Sequence, residues 1–151
     1  FDTTPLHAFL QAVFDSFDSI IRRKFVVSCA DVNTGSYHIF NETVSDPAKA
    51  VLSSSSIPFV FPHQTWGGSE NVVCMDGGTV YNTNLVSAVQ RCREMVDQDS
   101  EITIDIIVCG GGSIDDWEDQ TNAISNFLRF KEIKDYHNHI EDVYNFKQAY
   151  P

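Results

Sequence analysis

Positive charge is scarce in this sequence: ten Lys and Arg stand against twenty-one Asp and Glu, for a net charge of −11 at pH 7. Phosphate backbones are held by clusters of Lys and Arg, so nucleic acid is excluded as a partner. The only basic run, Arg22-Arg23-Lys24, reads as a solvated helix end rather than an anionic-lipid contact. Long apolar runs are missing as well, and none approaches the roughly 20 residues that span a bilayer. A peripheral contact is the membrane engagement that remains open. There is no signal peptide, but the chain opens on Phe1 rather than Met, so this absence does not decide the compartment. Cysteine is sparse: Cys29, Cys74, Cys92 and Cys109 never form Cys-x-x-Cys. Three of them lie in apolar, strand-like runs and read as small buried hydrophobes, which favours a reduced intracellular setting over a disulfide framework. Also missing is any Gly-x-Ser-x-Gly, the strand-to-helix elbow that presents a serine nucleophile.

What is present has globular composition. The 151 residues fit one domain with a real core, and eleven Phe supply much of its burial potential. Thr4-Pro5 is a helix start, and Leu6, Phe9, Leu10, Val13, Phe14, Phe17 and Ile20-Ile21 continue it as one wide apolar stripe. Phe25 to Asp31 is strand-like, Asn33-Thr34-Gly35 is turn chemistry, and Tyr37 to Phe40 returns as a second strand. Asp46-Pro47 begins a helix that runs to about Ser54. The prolines of Ile57-Pro58-Phe59-Val60-Phe61-Pro62 forbid regular helix there, and His63 to Asn71 reads as a surface loop.

Val72-Val73-Cys74-Met75 forms a short strand ending at Asp76-Gly77-Gly78, and Asn84 to Val96 is helical with Leu85, Val89, Cys92 and Val96 on one face. Ile102 to Cys109 is the strongest strand candidate, running into Gly110-Gly111-Gly112, and Ser113 with Asp116 makes an N-terminal box for a last helix. Strands alternating with helices indicate α/β architecture. Few apolar strands serve many apolar helix faces. Either a small α+β domain or the C-terminal part of a larger α/β domain fits that imbalance.

Asp76 is the first chemical candidate. A carboxylate with a reference pKa near ~3.9 acts as general base on an alcohol only when positioned and partly desolvated, and a strand end provides both. Gly77 and Gly78 would permit a tight turn and close backbone approach. The competing reading is an ordinary Asp-Gly turn. Ser113 sits between a strand and a helix, but Asp115 occupies the place where an elbow needs a small residue, so an N-cap role is favoured. The hydroxyls of Ser53-Ser54-Ser55-Ser56 read as structural or loop-lining. Gly110-Gly111-Gly112 has the makings of an anion site at a helix N-terminus but lacks both nucleotide-binding patterns. His137 and His139, with Glu141 and Asp142, fall short of the three or four supported ligands that zinc requires. No metal or cofactor is expected.

Taken in order, these segments resemble the patatin-like phospholipase family. Ser54-Ser55-Ser56-Ile57-Pro58-Phe59-Val60-Phe61-Pro62 is similar to its serine-rich, Ile-Pro, Phe-Pro stretch. Asp76-Gly77-Gly78, followed by Thr79 to Asn84, is similar to its catalytic Asp-Gly-Gly/Ala and the turn after it. Phe1-Asp2-Thr3-Thr4-Pro5-Leu6, Ala30 to Gly35 and Ile102 to Gly112 resemble further family segments, so the likeness covers about residues 1–115. Gly110-Gly111-Gly112 departs slightly from the more usual Gly-Thr-Gly.

The resemblance implies a three-layer α/β fold with a central, mostly parallel sheet, incomplete in this chain, with 116–151 as a helical C-terminal extension. It implies a lipid acyl hydrolase of phospholipase A type, in which a Ser-Asp dyad works without histidine. Asp76 would be the proton acceptor, with Gly77 and Gly78 in its turn. The serine and the oxyanion loop match nothing here and are expected upstream of Phe1 or in another chain, leaving this chain inactive alone. The alternative is a non-catalytic patatin-like module, a structural or lipid-binding subunit.

Overall fold

The structure is a computed structural model that describes residues 2–81, 83–107, 114, 116–117 and 122–150, with only the backbone of His139. It divides into two compact units, Phe1–Ile102 and Thr103–Pro151. The first unit is α/β and carries a sheet of four strands, β1 (Val26–Asp31), β2 (Tyr37–Asn41), β3 (Gln64–Thr65) and β4 (Val73–Asp76), which run antiparallel in the order β2-β1-β4-β3. The expectation of a mostly parallel sheet is therefore corrected. Hairpin chemistry between successive runs, not helical crossovers, links two of the three strand pairs.

Helix α1, Thr4–Asp15, starts with Pro5 in its first turn, but its N-cap is Thr3, and Asp2 Oδ1 accepts the Thr4 amide at 2.9 Å. It stops well short of Ile21. Asp18 and Ser19 adopt φ of 57° and 52°, a left-handed conformation open to short polar side chains, and Ser19 donates from its hydroxyl to Asp15 Oδ1 at 2.9 Å. Arg22-Arg23-Lys24 is thus not a helix end. Lys24 bonds Glu94 Oε2 at 2.7 Å and lies 3.2 Å from Glu42, joining separate parts of the unit.

Strands β1 (Val26–Asp31) and β2 (Tyr37–Asn41) form the expected hairpin, with Val27 opposite Phe40 and Cys29 opposite His38. Gly35 makes the turn at φ 71°, where L side chains are strained. Helix α2, Pro47–Ser54, begins as its sequence dictates: Asp46 Oδ1 accepts the Lys49 amide at 2.8 Å, with proline behind the cap. The 63–71 segment is more than a surface loop. Its β3, Gln64–Thr65, pairs with β4, Val73–Asp76, and Trp66 is buried. Indole and strand pairing together cover the end of the sheet.

The core joins Cys29, Phe40, Ala50, Trp66, Val72 and Cys74, so α2 packs on the face that carries both cysteines. Trp66 Nε1 donates to Ser53 Oγ at 2.9 Å, satisfying the indole at that seam. Cys29 and Cys74 are fully buried, as small hydrophobes should be, but they are joined in a disulfide. Forty-five residues apart in sequence, they become diagonal neighbours once β1 and β4 pair, which spacing along the chain does not reveal.

Helix α3, Leu85–Cys92, is capped by Asn84 Oδ1 on the Ser87 amide at 3.1 Å and buries Leu85 and Val89. It ends before Val96. In the second unit, residues 103–107 are not a strand, although Ile104 and Ile106 are half-buried between exposed Thr103, Asp105 and Ile107. Residues 108–113 lie outside the described residues. The last helix, α4, runs Ala123–Ala149, and its cap is Asn122, whose Oδ1 accepts the Ser125 amide at 2.8 Å. Asp116 lies outside that helix, and Ser113, the other half of the expected box, lies outside the described residues. Among the described residues no helix is long and apolar enough to cross a membrane.

Candidate functional site

Strand β4 delivers Asp76 half-buried at its last position, where the chain folds into a single 3-10 turn, Gly77–Thr79. The strand ends there because the carboxylate caps the turn, its Oδ1 accepting the Gly78 amide at 2.8 Å. The Asp76 amide donates to the Ser56 carbonyl at 3.0 Å, which ties the strand end to the chain leaving α2. Cys29 is its partner across the ladder. Asp76 is therefore fixed on three sides: by β1, by the serine-rich segment and by its own turn.

Gly77 has a different constraint. It is buried, and a Cβ there would lie 2.4 Å from the Ser28 carbonyl oxygen, a backbone atom of β1. Only glycine allows this approach. Gly78 contributes its amide and is exposed. Behind the turn, the buried Ser28 hydroxyl makes a short hydrogen bond with the Tyr37 hydroxyl, and the Tyr37 ring meets Tyr81 edge-on at 5.2 Å. Neither Ser28 nor Tyr37 is marked by a motif. Only the hairpin register, which places both on one face, brings them together.

The sheet holds a second carboxylate at a strand end, and its role differs. Asp31 accepts the Thr34 hydroxyl at 2.6 Å on Oδ2, and the Asn33 and Val73 amides at 3.2 and 3.3 Å on Oδ1. These donors, the Thr34 hydroxyl foremost, hold its carboxyl below the usual range. Asp31 is an ionised anchor for the hairpin turn.

The serine run is committed to α2. Ser53 donates to the Lys49 carbonyl at 2.7 Å, Ser55 to Val51 at 3.0 Å and Ser56 to Leu52 at 2.8 Å. Each hydroxyl proton is directed back along the helix rather than toward Asp76. Ser113 and Gly110-Gly111-Gly112 lie outside the described residues. His137, Glu141 and Asp142 lie on α4, where His137 touches the Tyr136 ring at 5.3 Å. Among the described residues no group of three or more His, Cys, Asp or Glu side chains is arranged to hold a metal.

A further pairing that no motif marks lies beside the core. His38 Nε2 lies 2.9 Å from Glu70 Oε2, linking β2 to the β3–β4 turn. The available signal was Gly67-Gly68 in a short polar stretch between Gln64-Thr65-Trp66 and the apolar run Val72 to Met75, a pattern that fits a hairpin. The arrangement as a whole presents one carboxylate at a glycine turn, held by backbone bonds. Set against protein-family models, curated proteins and solved structures, the chain finds no match in any of the three.

Proposed function

We propose that this chain is the C-terminal portion of a patatin-like lipid acyl hydrolase and supplies the base of a Ser-Asp dyad, Asp76. The observation that carries the reading is the Asp76 turn. A half-buried carboxylate is fixed through its own amide to Ser56, while Gly77 removes the side chain that would hold β1 away. A base that must meet a hydroxyl at hydrogen-bond distance needs this kind of positioning.

In this mechanism a serine supplied from upstream of Phe1, or from another chain, attacks the acyl carbonyl. Its hydroxyl proton passes to the Asp76 carboxylate as the carbon–oxygen bond forms. The carboxylic acid then gives that proton to the departing alcohol, and water releases the acyl group by the same sequence. The commitment of Ser53, Ser55 and Ser56 to helix carbonyls supports a nucleophile from outside this segment. The substrate on this reading is a lipid acyl ester, and the net charge of −11 argues against simple electrostatic docking on anionic membranes.

Fluorophosphonate labelling of the intact native protein tests the proposal. One serine should be labelled, and Asp76→Asn should lower kcat/KM for ester hydrolysis by about 10²–10⁴-fold, the usual contribution of a general base. No labelled serine, together with unchanged activity in Asp76→Asn, would sink it. A second reading, a non-catalytic subunit of the same fold, draws on α1, where Phe9 of the apolar stripe is 64% exposed. It predicts full assembly and lipid binding in an Asp76→Asn variant whose parent hydrolyses nothing.

A further inference from the structure

We propose that the Cys29–Cys74 bond is a redox-operated clamp on the Asp76 turn. The β1–β4 ladder consists of Cys29 opposite Asp76, Ala30 opposite Met75 and Asp31 opposite Cys74. The disulfide joins its first rung to its last, across Cα atoms 5.4 Å apart. One bonded residue is the cross-strand partner of Asp76, and the other precedes Asp76 by two positions on the same face of the strand. Hydrogen bonds also tie the turn, among them those from the Asp76 amide to Ser56, from the Gly78 amide to the carboxylate and from the Val80 amide to Gly77. With the bond intact, β4 cannot slide or lift from β1 at the point where the carboxylate is presented.

Opening the clamp takes two electrons and two protons from a dithiol. One reductant thiolate attacks a cysteine sulfur, forming a mixed disulfide and releasing the other cysteine as thiolate, which takes up a proton. The second reductant thiol then closes the reductant's own disulfide, and the remaining cysteine leaves as a thiol. Both sulfurs are fully buried, so the attack requires the ladder to open first. Reduction and loosening of the turn are one linked event. That the clamp governs hydrolysis rests on the reading of Asp76 as a base; the clamp itself does not.

The test uses the full chain. Alkylation with iodoacetamide in denaturant, without reductant, should leave Cys29 and Cys74 unlabelled and label Cys92, which is free in the structure. Labels on Cys29 and Cys74 would overturn the proposal. Amide hydrogen exchange over residues 72–80 should accelerate about tenfold or more on addition of dithiothreitol, with α3 unchanged. No acceleration at 72–80, or equal acceleration in α3, would overturn a local clamp. Cys74→Ala should exchange like the reduced chain and show no further response to dithiothreitol; a persisting response overturns the proposal. The wild-type measurements stand alone if that variant does not fold. Absence of ester hydrolysis in both redox states of the intact native protein, with the segment or chain that supplies the serine present, counts against the catalytic reading, and the exchange result alone then decides the clamp.

Discussion

Gly77 is a residue at which this structure tolerates little. Its neighbour is a carbonyl of β1, not the end of a flexible side chain, so an added methyl must push two strands apart. Gly77→Ala is expected to cost about 1–3 kcal/mol of stability, the usual range for overpacking a filled site, measured by urea unfolding. Gly78→Ala, at an exposed position whose amide is unchanged, should stay within about 0.5 kcal/mol of wild type in the same assay. The dipeptide is legible in the sequence as a tight turn, but the division of labour within it is not. That depends on which glycine faces Ser28, a matter of register between segments nearly fifty residues apart. The serine run differs: its four hydroxyls read from the sequence as structural or loop-lining, and the helix carbonyls one turn back claim three of them.

Among the elements, α3 is held to the sheet unit by charge as well as by Leu85 and Val89. Arg91 bonds Glu42 after β2 and Glu94 on its own turn, while Lys24 reaches the same two carboxylates. Glu42 is held down to about 2 from its ordinary 4.5, chiefly by its own backbone amide and then by the Arg91 guanidinium, the Phe25 amide and Lys24. Glu94 is lowered by the same cations, Lys24 first. A depressed folded pKa gives stability that is complete above the unfolded value and is lost as protons bind. Thermal melts should therefore fall as pH drops from about 4.5 toward 2, with little change between pH 5 and 7. Glu42→Gln should flatten that decline, and an unaltered acid limb would show that the network does not couple to folding. Local chemistry announced α2 almost residue for residue, because a cap and a proline act within one turn. It failed for the end of α1, where Asp18 and Ser19 override the apolar stripe, and for β3, which exists only because β4 is beside it.

At the scale of the whole molecule, both the sheet and the buried core of the described residues lie before residue 103. A fragment ending at Ile102 is expected to unfold in urea as one cooperative transition, with coincident far-UV and near-UV curves. Separated curves would show that the second unit is needed for side-chain packing. The α/β class was legible from alternating segments. The strand direction was not, because 102–109 looks like a buried parallel strand by composition and its described part, 102–107, stays out of the sheet. Apolar content tells how much a segment gains by burial, not which neighbour provides it.

Trp66 offers a way to watch these events in solution. Its ring lies against Phe40, with the Lys49 ammonium 4.8 Å from its centre and its nitrogen bonded to Ser53. Trp117, the other tryptophan, is 39% exposed. The two indoles thus sit in different dielectrics, and a Trp117→Phe chain would carry a single, buried fluorophore at the seam between α2 and the sheet. A red shift of its emission would time the parting of helix from strand, independently of any substrate.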